Sequence, residues 1–326
     1  MKRASVVRFS RGQRLEHLAV MVLFLALVLT GFPQKFPQAP WAQALVDSMG
    51  GLSSARYLHR AAGLAFAVLA MGHLLNASLR LMLRRQALTL VPGRKDFRDV
   101  VDNLRYYLGA AEAPPLFDRF DYREKFEYWG MAMGAVVMTF TGLVLYFPLR
   151  ITQLLPGEVI PVAKVTHSNE GLLAFLVVIV WHIYNVHLAP EVFPFNTAIF
   201  TGRITVEQLR HHHPLEHARL FGAAGAEPMA GPAAPPATAA DGGVARPGYY
   251  WDASAWQLAI VGKEAGPLRV GTGRFVKLPG VAALMLAPLL GLSLVMFVPV
   301  AGFAVVAQQV LGRGARALRR RRAAPR

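Results

Sequence analysis

The sequence predicts an all-α integral membrane protein: a four-helix transmembrane bundle followed by a C-terminal extension with one further hydrophobic segment. Three observations carry that prediction. Hydrophobic residues make up 54% of the 326 positions, enough to give several apolar runs of the roughly 20 residues that cross a bilayer. The formal charge is +16, and its positive residues sit in blocks between and after the apolar runs, where orientation signals belong. That distribution argues for the bilayer as partner and against nucleic acid. Finally, there is no cysteine, which excludes disulfides, thiolate-held iron–sulfur clusters and covalent haem attachment through C-x-x-C-H.

Taken in order, Lys2, Arg3, Arg8, Arg11 and Arg14 precede a first span at about Leu15 to Phe32. Basic residues before an apolar run imitate a signal peptide, but no small-residue cleavage site follows and His17 lies within the run, so it reads as a retained span. Pro33, Pro37 and Pro40 then break the helix. A second span runs from about Ser54 to Leu83, with Ser53 or Ser54 as its cap, and ends at Arg84-Arg85. In the basic loop that follows, Phe97, Val100, Val101, Leu104 and Leu108 recur at helical spacing and predict a short amphipathic surface helix. A third span covers about Tyr128 to Phe147; a fourth covers Val165 to Leu188 and is closed by Pro190. Basic residues before span one, between spans two and three, and after span four place both ends of this unit in the cytoplasm.

The domain division follows from composition. Residues 1–221 form the four-span domain, 222–248 an Ala/Pro/Gly-rich linker, and 249–326 a C-terminal extension with hydrophobic segment 278–311 and a basic tail. A single fifth crossing would put the arginine run Arg319 to Arg322 outside, against the positive-inside tendency; a re-entrant turn near Pro299 would keep it inside.

Topology converts each intramembrane histidine into a depth. His59 and His167 fall on the extracytoplasmic side, and His17, His73 and His182 on the cytoplasmic side. The gaps of 14 and 15 residues within spans two and four correspond to about 21–22 Å along a helix and return to nearly the same face. His187 points about 160° away from His167 and is a weaker candidate. A single intramembrane histidine is accounted for by a hydrogen bond to a neighbouring helix. Five at two matched depths suit two stacked bis-histidine haems, since paired neutral imidazoles fill both axial positions of an iron porphyrin. His211, His212, His213 and His217 lie in a basic segment beyond span four and are assigned no role.

Several short motifs recur in a definite order: Arg14-Leu15-Glu16-His17 opening span one and Thr30-Gly31 closing it; Leu58-His59-Arg60 and Gly63 in span two. Asp121-Tyr122-Arg123-Glu124-Lys125 with Tyr128-Trp129 precedes span three, Thr141-Gly142 ends it, and His167 and His182-Ile183-Tyr184 bracket span four. Together, over about residues 8–190, they resemble the gamma subunit of bacterial formate dehydrogenases, the membrane di-haem cytochrome b group that also includes the hydrogenase cytochrome b subunits. The resemblance implies two b-type haems, one held by His17 and His182 and the other by His59 and His167; in the cytochrome bc class paired histidines fourteen apart on two helices hold both haems, which makes His73 the alternative inner ligand. It implies a quinone site beside Asp121 and Lys125, where the family usually carries Asn-x-x-Gln-Lys; Asp121 and Glu124 depart from that pattern. The implied protein is a membrane-anchoring, electron-transfer subunit of a respiratory oxidoreductase complex in the bacterial cytoplasmic (inner) membrane, rather than a stand-alone enzyme. It would link the quinone pool to an extracytoplasmic molybdenum enzyme, hydrogenase or multihaem cytochrome c. Arg14 and Arg60 neighbour the ligands and serve either to neutralise haem propionates or to anchor the interface. The competing expectations are a transporter or metal permease using intramembrane histidines and a non-redox membrane anchor for a partner.

Overall fold

The computed structural model describes residues 4–83, 88–189, 192–193, 195–222, 248–261 and 275–323. The linker assigned to 222–248 falls almost wholly outside the described residues, as do Arg84, Arg85 and Pro190. Five helices are long and apolar enough to cross a membrane: α1 (Arg11–Lys35), α3 (Leu52–Met82), α5 (Tyr122–Tyr146), α7 (Val159–Leu188) and the part of α11 over Gly280–Leu311. The remaining helices are short: α2 (Pro40–Ser48), α4 (Arg94–Tyr107), α6 (Pro148–Ile151), α8 (Ala198–Thr201), α9 (Val206–His212) and α10 (Pro214–Phe221). The protein is therefore the predominantly helical, multi-pass membrane chain that its apolar runs foretold.

The chain divides into two compact units, one of residues 1–77 and 131–208 and one of residues 78–130 and 209–326. In the first unit α1 begins with a reciprocal cap. The Ser10 side chain accepts from the Gln13 amide at 3.3 Å, and the Ser10 amide donates to the Gln13 side chain at 2.9 Å, satisfying two orphan groups of the first turn. Leu15, Leu18, Val22, Leu25 and Leu29 form an exposed apolar stripe on α1. In water such a stripe would be costly; against hydrocarbon it is the expected outer face. Between α2 and α3 the chain reverses through Gly50 (φ 86°) and Gly51 (φ 95°), a left-handed pair that side chains with a Cβ would resist. As a result α3 starts at Leu52, and Ser53 and Ser54 lie inside it rather than capping it. A short strand β1 (Ser5–Val7) pairs antiparallel with β2 (Arg203–Thr205), and the Arg8 amide donates to the Gly202 carbonyl at 2.9 Å. This clasp ties the start of α1 to the chain beyond α7.

The α7 helix changes character midway. It is α-helical over Val159–Leu176 and then π-helical over Val177–His182 and Tyr184–Leu188. A π-helix bonds i to i+5 and so holds more residues per turn. It takes up the additional residue that makes the His167–His182 gap 15 where that in span two is 14.

In the second unit the C-terminal segment forms a three-stranded antiparallel sheet, ordered β4 (Gln257–Val261), β3 (Gly248–Asp252), β5 (Phe275–Leu278). Leu81, Tyr249, Leu258 and Ala283 make its core. The amphipathic helix expected in the basic loop is α4, whose Phe97 packs edge-on against Phe297 of α11 at 5.1 Å. The Arg94 amide, an orphan of the first turn of α4, donates to the Ala255 carbonyl of the β3–β4 loop at 2.8 Å. α11 is one unbroken helix through Pro288 and Pro299, so the re-entrant turn considered near Pro299 does not form.

Two acidic residues are buried on α4. Asp96 takes the Lys125 ammonium at 2.8 Å. Asp99 takes Lys95 at 2.5 Å, yet burial outweighs that pairing and lifts the Asp99 carboxyl from its usual 3.8 to about 6. A carboxyl whose pKa is raised on folding holds its proton more tightly in the folded state. Its contribution to stability therefore falls as pH climbs from about 4 to about 6. Asp99→Asn should flatten that part of the profile, measured as thermal unfolding of the solubilised protein between pH 4 and 7; an unchanged slope would show that Asp99 does not set it.

Candidate functional site

Within the first unit the histidines meet in pairs. The rings of His17 on α1 and His182 on α7 have centroids 6.3 Å apart, and those of His59 on α3 and His167 on α7 are 6.2 Å apart and nearly perpendicular, at 84°. Two nitrogen–metal bonds of about 2 Å each, plus the roughly 1 Å from each nitrogen to its ring centre, span about 6 Å. Each pair is thus spaced to share one metal ion between two imidazoles.

His73, the alternative to His17, is engaged elsewhere, with its Nδ1 2.6 Å from Glu16 Oε1. His187 lies flat on Phe195, centroids 3.9 Å apart. His213 Nδ1 bonds the Asp118 carbonyl at 2.7 Å, and His217 is buried against Phe221. Those contacts give His213 and His217 structural work, and no cluster of metal-binding side chains occurs among the described residues.

The His59/His167 pair has a surround that sequence reasoning did not assign. Thr30 Oγ1 lies 2.9 Å from His59 Nδ1, and Thr141 Oγ1 lies 2.9 Å from His167 Nδ1. The neighbouring glycines let the rings come close: a Cβ on Gly31 would sit 2.9 Å from His59 Cε1, and one on Gly142 would sit 3.3 Å from His167 Cε1. The repeated Thr-Gly dipeptide was the available signal, visible in the sequence without a role attached to it.

Arg14 donates to the Phe200 carbonyl and lines a cavity of about 310 Å³ together with Arg11, His17 and Phe200. Arg60 lies over the Tyr146 ring, 5.5 Å from its centroid. In the second unit, Asp121 accepts from the amide of Glu124 while its own amide donates to the Glu124 carboxylate, a capping box at the start of α5. Asp121 also pairs with Arg123 at 2.7 Å. Asp121 and Glu124 therefore build a helix start, and α5 begins at Tyr122 rather than near Tyr128. Lys125, paired with Asp96, borders a cavity of about 170 Å³ walled in part by Phe120, Arg219 and, from β4, Gln257 and Leu258.

Apolar spans carrying two facing imidazole pairs define a membrane metalloprotein of the cytochrome b kind. The profile of the family described as prokaryotic cytochrome b561 matches residues 8–193, and the chain belongs to that family. It is also 26% identical over 216 residues to the formate dehydrogenase cytochrome b556(fdo) subunit of Escherichia coli K12, covering 65% of this chain and 92% of that one. The subunit of the same name from E. coli O157:H7 matches to the same extent. Haem b is the cofactor this family implies, and the imidazole pairs fit it: neutral nitrogen donors, two per iron, at the separation an axial pair needs.

Because the Gly31 Cβ position falls so close to the His59 ring, Gly31→Ala should displace that imidazole and diminish or shift the haem absorbance of the purified protein. Gly157→Ala, in the loop before α7 where a Cβ would meet nothing within 4 Å, should leave the spectrum as it is. Equal spectra for the two variants would break the link between the glycine and the ring.

Proposed function

We propose that this membrane cytochrome b is the quinone-reactive, membrane-anchoring subunit of a respiratory oxidoreductase complex in the bacterial inner membrane, with its N-terminus in the cytoplasm. The observation that carries the reading is the pair of imidazole couples at 6.3 and 6.2 Å, built on α7 at two levels 15 residues apart. Two b haems bound there supply one-electron transfer between an extracytoplasmic redox partner and the membrane quinone pool. His17 and His182 would hold one haem on the cytoplasmic side through their ring nitrogens, and His59 and His167 would hold the other on the extracytoplasmic side. His17 is preferred to His73 because it faces His182, whereas His73 holds Glu16.

Arg14 and Arg11, beside His17, offer cationic partners for haem propionates. Arg60, next to His59, offers the same on the other side. The cavity at Lys125 is the proposed quinone site. Its Lys125 ammonium can hydrogen-bond a quinone carbonyl, while Phe120, Leu258 and Leu88 supply an apolar wall for the ring. The similarity to a formate dehydrogenase cytochrome b subunit supports an oxidoreductase as the extracytoplasmic partner; a molybdenum enzyme, a hydrogenase or a multihaem cytochrome c would each suit.

Reduced-minus-oxidised spectra test the ligand assignment. His59→Ala and His17→Ala should each remove about half of the b-type absorbance, and the double variant nearly all of it; full absorbance in either single variant would overturn that assignment. Lys125→Gln should keep both haems while slowing their reduction by a quinol analogue several-fold. An unaltered rate would move the quinone site elsewhere.

A further inference from the structure

We propose that Thr30 and Thr141 are the positioning residues of the His59/His167 iron site: each fixes the tautomer and rotation of the ring it faces, and together they lower the midpoint potential of the haem held there. The inference rests on the reading of His59 and His167 as an axial pair and adds to it what sets their chemistry.

One proton decides each contact. A threonine hydroxyl carries a single hydrogen. Thr30 Oγ1 lies 2.6 Å from the Ala26 carbonyl and Thr141 Oγ1 lies 2.7 Å from the Val137 carbonyl. A carbonyl only accepts, so each hydroxyl donates along its own helix and meets the histidine as an acceptor. Each Nδ1 must then carry the ring proton, which leaves the Nε2 lone pair for iron. An Nδ1–H held by an oxygen makes Nε2 a stronger donor, and a stronger donor stabilises ferric over ferrous iron. Both threonines are buried, at 5% and 9% exposure, so water does not compete for the contact.

The device is built twice, from different helices. Thr30-Gly31 on α1 serves His59 on α3, and Thr141-Gly142 on α5 serves His167 on α7. The flanking sequence repeats in register. Glu16 precedes Thr30 by the same interval as Glu127 precedes Thr141, and Gly63 follows His59 by the same interval as Gly171 follows His167. An incidental buried hydroxyl has no reason to recur at matched positions against matched rings. Helix back-bonding alone would account for the threonines and their carbonyls. It does not account for an imidazole nitrogen 2.9 Å from each one.

The test is a redox titration of the full-length protein in membranes, with electron paramagnetic resonance as a second readout, on Thr30→Val, Thr141→Val and the double variant. Valine keeps the shape and removes the oxygen. The double variant should retain both haems and raise the potential of one of them by about 59 mV, the equivalent of a tenfold change in its ferric-to-ferrous ratio. The resonance anisotropy of that haem, which follows the angle between ligand planes, should change as well. The other haem should keep its potential, and Thr→Ser at both positions should restore the first. Unchanged potentials and resonance values would overturn the proposal, as would equal shifts in both haems. If the double variant loses a haem, the serine variants decide: recovery with the original potential supports the hydroxyl role, and continued loss refutes it. A wild-type protein without two haem signals would instead refute the di-haem reading.

Discussion

Everything in the first unit is subordinate to holding two imidazoles from different helices about 6 Å apart, twice. As the proposed ligand pairs they tolerate little error, because a ring a fraction of an ångström too far would no longer reach a shared iron. Helices in lipid gain nothing from a hydrophobic effect between them, so contact must come from packing, small residues and buried hydrogen bonds. The structure uses all three. Phe32 of α1 meets Phe175 of α7 edge-on at 4.9 Å, glycines admit the rings, and threonine hydroxyls fix their orientation. The β1–β2 clasp and the Arg14–Phe200 contact brace the end of α1 that carries His17.

The π-helical stretch of α7 follows from the same demand. One helix contributes an imidazole to each pair, and with an α-helical pitch His182 would have come round about 60° off the face of His167. Winding the second half with more residues per turn moves His182 back toward that face without changing the residue count. π segments are uncommon because their hydrogen-bond geometry is poorer, and they concentrate where a functional side chain needs re-aiming. His182 ends the first such segment.

The second unit solves a different problem, that of burying charge. Lys125, Asp96, Asp99 and Asp121 are all largely hidden, and each acid has a cation: Lys125 for Asp96, Lys95 for Asp99, Arg123 for Asp121. Such pairs add little net stability, because desolvation consumes most of the attraction, but losing one partner is costly. They serve better as devices of register. Lys125–Asp96 locks the start of α5 to α4, and the C-terminal segment joins the same assembly through Tyr249, which donates to the Leu81 carbonyl, and through the β3–β4 loop at Arg94. The segment beyond the family match is thereby an integral wall of the cavity at Lys125.

The sequence alone determined the spans, the amphipathic helix α4 and the sorting of the histidines into two levels, because hydropathy, charge position and helical rise are properties of consecutive residues. It did not decide between His17 and His73, since both lie at the same level and only lateral packing separates them. Nor did it reveal the use of Thr30 and Thr141, whose partners are on other helices, or the role of Asp121 as a helix cap rather than a lone acid. The small sheet, the unbroken α11 and the π winding were likewise beyond its reach. Each depends on what a side chain or strand finds across a gap of tens of residues, and one-dimensional spacing carries no information about that distance.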